Sequence, residues 1–439
     1  MTLQERRETG VTSGEQDGEP LDRTRSVVSG HDRGVQQADL LVIGAGPAGA
    51  AAAMQAARGG ARVVVFDKAS YGRDKVCGDG LTPRAIAALI ALDIDYSDAH
   101  RIEGLRMIAN STERELDWPS GTRFPDHGAV WPRRRLDAAL IDSAAEAGAE
   151  IVWETEALPV LDSGHVIGVE AAGKQWRAPL TVLATGAPGA AARLVGAERN
   201  RDEPYGIAIR TYAESPRHAD EMLEACLTLT DDEGTPVPGY GWMFPAGDGT
   251  VNIGVGALST MKGFKKLNLN KLLLSYRGLV QEPWSLGPDL ERPRAWRLPM
   301  SAQKRHGSGW VAIGDAAGLV NPMNGEGIDY GLESGIIAAD LLMADPATAP
   351  DAYDRMIAER FDAFLSTGRR FSFLIGHPWI LRNGLRLAVG SDALANITLQ
   401  VMGNLVDGDT PGAAGRIFKL TDKVLGLADP LLRRSRAAA

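Results

Sequence analysis

Asp39-Leu-Leu-Val-Ile43 runs into Gly44-Ala-Gly46-Pro47-Ala48-Gly49, then an alanine-rich stretch to Arg58, Gly59-Gly60, and Arg62-Val-Val-Val-Phe66-Asp67. Two short apolar runs flank a glycine turn and a helix-forming segment, which is the order of one βαβ unit. GxGxxG in isolation is a common turn, and an ordinary βαβ turn remains an alternative here. Between a strand and a helix, with an acidic residue closing the next strand, it has the context of a dinucleotide fingerprint. Gly44 then permits the tight turn, Gly46 lets backbone approach a pyrophosphate, and Gly49 lets helix pack on sheet. Pro47 and Ala48 begin a helix whose unpaired N–H groups and positive dipole end face phosphates. Asp67 is placed to accept hydrogen bonds from a ribose, with Lys68 beside it.

Working outward, residues 133–148 read as a helix, with Leu136, Ala139, Leu140 and Ala144 at helical spacing. Ile151-Val-Trp153, Val166-Ile-Gly-Val169, Leu180-Thr-Val-Leu183 and Trp310-Val-Ala-Ile313 read as strands, and residues 327–342 as a helix. From about 195 to 294 the pattern changes to short strands with turn-rich connections. The expected class is α/β: a discontinuous Rossmann-like domain (38–194 and 295–345), an inserted, mostly β substrate domain (195–294) and a helical C-terminal region (346–439). Residues 1–37 are charged, contain Gly and Ser and lack a signal-peptide core, so they read as a disordered leader.

The 439 residues are 44 % hydrophobic and 23 % charged, with a net charge of −9. Those values exclude a disordered chain, and the acidic balance argues against a nucleic-acid binder. Two cysteines, Cys77 and Cys226, exclude a disulfide scaffold and suit a reducing cytoplasm. No metal site is expected. The most apolar candidate span, residues 371–389, is interrupted by His377, Pro378, Arg382 and Arg386 and does not cross a membrane. Glycine stands out: 51 residues, about 12 % against a usual ~7 %. They concentrate at 44–49, 78–80, 241–256 and 307–335, where backbone would approach a ligand.

Trp310-Val-Ala-Ile-Gly314-Asp315-Ala-Ala-Gly318 sets an aspartate just after a late strand. This resembles the second FAD motif of glutathione-reductase and hydroxylase-type flavoproteins, in which Gly-Asp holds the ribityl chain. Together with the N-terminal fingerprint it selects FAD over NAD. Asn321-Pro-Met-Asn-Gly325-Glu-Gly327-Ile328 leads into another helix, whose N–H groups would stabilise negative charge on a reduced flavin. Arg133 fits the arginine that these flavoproteins use near FAD; a solvated charge at a helix start is the alternative. No second GxGxxG with strand and helix flanks occurs, so no stable nicotinamide domain is expected.

Lys75-Val-Cys77-Gly78-Asp79-Gly80-Leu-Thr-Pro83 resembles the cysteine-glycine motif of geranylgeranyl reductases. Tyr240-Gly-Trp242-Met-Phe244-Pro245, running on to Val255-Gly256, resembles that family's YxWxFP…VG substrate motif. The similarity covers most of 39–342, and the wording of Cys77-Gly-Asp-Gly-Leu-Thr-Pro-Arg84 with Gly325-Glu-Gly-Ile-Asp-Tyr-Gly-Leu-Glu333 is most similar to the actinobacterial, menaquinone-reducing branch. The resemblance implies an FAD enzyme that saturates one double bond of a polyprenyl chain, in the second isoprene unit of menaquinone. It sets Cys77, Gly78, Asp79 and Gly80 beside the flavin and Tyr240, Trp242, Phe244 and Pro245 at the substrate. One departure is Ala184-Thr185-Gly186, where hydroxylase relatives carry Ala-Asp-Gly. That weakens a monooxygenase assignment and leaves NADPH handling open.

An isolated alkene accepts hydride only if a proton arrives with it, so the site needs a proton source. Cys77 is the first candidate, with Asp79 or a bound water as alternatives; a buried cysteine is also commonly a small hydrophobe. The alternating aromatics line a slot or are plain core. The implied partners are a polyprenyl substrate, a separate electron donor (a reductase, ferredoxin or NAD(P)H) and the inner face of the plasma membrane. Basic residues and leucines from Arg416 onward, together with Phe371, Phe373, Trp379 and Ile380, are candidate lipid contacts; core packing is the alternative. The competing functions are a flavin-dependent monooxygenase or halogenase and a non-catalytic prenyl-lipid carrier.

Overall fold

Leu40–Ile43, Val63–Phe66, Leu180–Leu183 and Trp310–Ala312 are short, nearly continuous apolar runs, the pattern of strands covered on both faces. In the computed structural model, which describes residues 35–187, 189–406 and 412–437, every residue of all four is buried. Side chains are described for all of these except 412–413 and 428–437. The six-stranded sheet runs His306–Gly307, Trp310–Ala312, Leu180–Leu183, Leu40–Ile43, Val63–Phe66, Glu150–Val152. Its pairs are parallel except at the His306–Gly307 edge.

The helix Pro47–Arg58 follows the first strand and packs on Ile328–Ala344. The contact is close because both faces are small. A Cβ at Gly335 would meet the Ala48 carbonyl oxygen at 2.5 Å. The helix Arg133–Glu146 covers the same layer and feeds the edge strand Glu150–Val152.

A second, seven-stranded sheet has the order Arg294–Pro299, Tyr205–Glu214, Thr250–Leu258, Gly239–Pro245, Met222–Cys226, Gly104–Ala109, Thr112–Asp117. It reaches beyond the 195–294 segment at both ends. Gly104–Ala109 joins by parallel pairing with Met222–Cys226, a long-range match that leaves no local sequence signature. The helix Leu269–Val280 packs on the back of this sheet.

Structure also begins earlier than Ala38. Gln36–Gln37 pairs in parallel with Trp176–Arg177. Main-chain hydrogen bonds make this pairing, so the polarity of the glutamines concealed it. The rest of the expected leader, residues 1–34, lies outside the described residues. From Ala349 onward the described residues are mostly helical, in segments that include Ala363–Ile375, Pro378–Ala388, Asp392–Met402 and Gly412–Ala437.

Candidate active site

The first glycine turn is built by contact. A Cβ at Gly49 would meet the Gly44 carbonyl oxygen at 1.9 Å, and one at Gly44, where φ is +113°, would meet that of Ala184 at 2.2 Å. At Gly46 the nearest atom would be a guanidinium nitrogen of the Arg73 side chain at 3.6 Å, so no backbone closes that side. No side chain caps the helix that starts there. The buried Asp67 carboxylate accepts from the main-chain N–H groups of Ala45 and Ala69, both at 2.8 Å. Gly44, Gly46, Pro47, Ala48, Asp67, Lys68, Arg133, Gly314, Asp315, Gly327 and Ile328 all line one cavity of about 1170 Å³. Gly49 lies behind it as packing. The Arg133 guanidinium makes a two-point ion pair with Asp137, at 2.7 and 2.8 Å.

The cavity continues over the seven-stranded sheet, where register forms a lattice. Tyr240, Gly256, Ala208 and Trp296 lie abreast on four adjacent strands. The next row is Trp242, Gly254, Arg210 and Arg294, and the third is Phe244, Asn252 and Tyr212. Directly paired residues share a face. The glycine of the middle row is required: a Cβ at Gly254 would meet Cζ2 of the Trp242 indole at 2.1 Å. Phe244 lies against the cysteine-glycine loop, about 3 Å from where a Cβ of Gly78 or Gly80 would stand. Tyr240, Trp242, Phe244, Cys77 and Gly78 line the cavity, whereas Asp79, Gly80 and Pro245 lie behind its wall.

Asp79 is fully buried with φ +65°, a left-handed conformation. Its carboxylate accepts from Asn252 Nδ2 at 2.8 Å, Arg133 N at 3.2 Å and the Tyr212 hydroxyl. Burial pushes its carboxyl up even so. Both amide hydrogens of Asn252 are committed, because it also donates to the Cys77 carbonyl at 2.8 Å, and its oxygen accepts from Trp242 Nε1 at 2.9 Å. Asp79 therefore ties the loop to the sheet. Burial likewise pushes the Cys77 thiol up, against the lowering pull of Arg133. It stays protonated at neutral pH.

Residues 74–76 add Lys75, whose ammonium stands 4.0 Å from the Trp296 ring centroid and is lowered to about 8 by burial. Glu326 accepts from the Thr82 hydroxyl at 2.9 Å, and burial raises its carboxyl well above the usual range. Asn252, Tyr212 and Glu326 were not singled out from the sequence. Asn252 had a signal: a lone amide between Val251 and Ile253 in an apolar strand needs buried partners. The C-terminal helices were also missed as cavity walls. Each turns one stripe inward, such as Leu381, Gly384, Leu385 and Ala388.

The open Gly46 turn, the uncapped helix, Asp67 and Asp315 fit a dinucleotide with a ribityl chain. Residues 39–208 match the family model of FAD dependent oxidoreductases. The protein is an FAD-dependent oxidoreductase. A menaquinone reductase of Mycolicibacterium smegmatis is 40 % identical over 400 residues, 87 % of this chain and 95 % of that protein. One from Mycobacterium tuberculosis is 39 % identical, covering 89 % and 97 %. The fold matches a geranylgeranyl bacteriochlorophyll reductase-like protein of Thermoplasma acidophilum, with TM-score 0.71, 21 % identity and coverage of 88 % and 100 %. The chain belongs to the menaquinone reductase family.

Proposed function

We propose that this protein saturates one carbon–carbon double bond in the polyprenyl tail of menaquinone, in its second isoprene unit. The observation that carries the proposal is the continuity of one cavity from the dinucleotide turn to an apolar slot walled by Tyr240, Trp242 and Phe244. The relatives named above act as the guide to substrate class.

Reduced FAD, when bound, supplies a hydride for one alkene carbon. The residues assigned to hold it are those of the two glycine motifs, Asp67, Lys68, Arg133, Asp315 and the Gly327–Ile328 helix start. The chain itself must deliver a proton to the other carbon, as the π electrons of the alkene form one of the two new C–H bonds. Cys77 is assigned that proton, since its thiol is protonated and on the cavity wall. Asp79 is assigned to hold the Cys77 loop. The aromatic side chains exclude water and keep the chain flat against the site.

Electrons reach the flavin from a separate donor, a reductase, ferredoxin or NAD(P)H. Among the described residues, no helix is long and apolar enough to cross a membrane. Trp379, Leu387, Leu420, Val424 and Leu427 are exposed on the C-terminal helices and support peripheral attachment at the inner face of the membrane. Leu431, Leu432 and the last arginines lie outside the described side chains.

Mass spectrometry of quinones from cells with and without the protein tests the function. The expected product is menaquinone heavier by two hydrogens. Oxygen consumption with a hydroxylated or halogenated product would overturn it, and flavin that menaquinone never reoxidises would indicate a carrier.

A further inference from the structure

A glycine inside a helix or strand costs about 1 kcal/mol relative to alanine, so its presence needs a cause. Among cavity-lining glycines in regular elements, the protein itself supplies the cause at several. A Cβ at Gly239 would meet the Gly256 carbonyl oxygen at 2.0 Å, one at Gly206 would meet Met300 Cε at 3.0 Å, and one at Gly368 would meet Pro322 at 3.1 Å.

At Gly331 a Cβ would sit in ordinary contact with Ala48 at 3.4 Å, and at two others it would meet nothing within 3.5 Å. Gly384, an exposed residue of the helix Pro378–Ala388 at the open side of the cavity, would place a Cβ with no atom within 4 Å. It shares its inward stripe with Leu381, Leu385 and Ala388 on the cavity wall. Gly256, within the strand Thr250–Leu258, would meet nothing closer than Ile207 O at 3.8 Å and Trp242 Cζ3 at 3.9 Å. It faces the slot between the Tyr240 and Trp296 strands, in the row that also holds Ala208. Neither position has a φ that demands glycine. The side chains are missing where only the contents of the cavity would object.

We infer that Gly384 and Gly256 reserve the width that admits a methyl-branched chain, and so select prenyl chains over unbranched ones of equal length. The inference rests on the polyprenyl assignment above and adds a selectivity that the assignment does not require. A straight alkyl chain is narrower by its missing methyl groups, so it tolerates a filled wall that a branched chain does not. One misplaced methyl group in an apolar pocket changes affinity by roughly tenfold or more.

The test measures binding of phytol and hexadecanol to the FAD-bound protein by quenching of tryptophan fluorescence, with thermal unfolding and the flavin-to-protein absorbance ratio in parallel. Gly278→Ala is the control, because Gly278 is, like Gly384, helical and exposed with open space around its Cβ, but does not line the cavity. Gly384→Ala is expected to raise the unfolding temperature by about one to two degrees, as the control does. It should weaken phytol binding by about tenfold, while hexadecanol binding and flavin content hold. Gly256→Ala is expected to give the same selectivity change. Unchanged phytol binding in both variants would overturn the inference and leave the polyprenyl assignment standing. Wild-type protein that binds neither alcohol would overturn both. Flavin loss in Gly256→Ala would assign that space to the cofactor and remove Gly256 from the inference.

Discussion

The indole of Trp242 donates to the side-chain oxygen of Asn252, 2.9 Å away on the neighbouring strand. The same amide donates to the Cys77 carbonyl and the Asp79 carboxylate. One buried residue thus holds the aromatic slot and the cysteine loop in a single arrangement.

Replacing Asn252 with leucine leaves the Asp79 carboxylate and the Trp242 N–H each short of a partner. The expected cost is about 2 kcal/mol or more in urea unfolding of the FAD-bound protein. Turnover should fall further than stability explains. A variant with wild-type unfolding would show that the network carries no strain when cut.

Trp242→Ala removes the ring that covers Gly254. The expected result is a raised KM for long-chain substrate with FAD retained. Loss of the flavin absorbance instead would mean that the indole supports the fold of the cofactor site.

Gly49→Ala drives a methyl group into the Gly44 carbonyl, 1.9 Å from the built Cβ. Close helix–strand packing cannot absorb that approach. The purified variant should carry little or no flavin, read from its visible spectrum. A wild-type flavin content would remove the glycine turn from the cofactor site.

Burial holds the Cys77 thiol above its ordinary range, so alkylation by iodoacetamide should be slow at neutral pH and accelerate only in alkaline buffer. Cys77→Ser should keep FAD and lose most turnover. If the thiol is the proton source, wild-type activity persists through neutral pH and declines as the thiolate forms. Rapid labelling at pH 7 would contradict this.

Asp329 is fully buried beside Arg84, 3.8 Å away; burial, with Glu333 adding to it, raises its carboxyl to about 6 against the opposing pull of Arg84, the Tyr330 N–H and Asn404. A carboxyl raised on folding adds stability that is fully present below its unfolded value and is lost as pH rises through the folded one. The unfolding free energy of wild type relative to Asp329→Asn should therefore fall between about pH 4 and pH 6. A difference independent of pH would show that Asp329 does not titrate in that window.

The sequence alone determined the glycine turns assigned to the cofactor and the strands that carry them. Glycine turns, strand hydropathy and an acidic residue at a strand end are local consequences of backbone geometry, so Gly44–Gly49, Asp67 and Gly314–Asp315 were legible without a fold. The alternation of Tyr240, Trp242 and Phe244 was legible too, but core and slot have the same period. Only the tertiary structure decided that these rings face a cavity, because facing depends on register with strands far away in sequence. Gln36–Gln37 and Gly104–Ala109 joined sheets through main-chain pairing, which side-chain hydropathy does not report. Asn252, Glu326 and the inward stripes of the C-terminal helices acquired their roles from partners as many as 244 residues away. Local chemistry chose the elements; long-range packing chose which of their faces meet at the site.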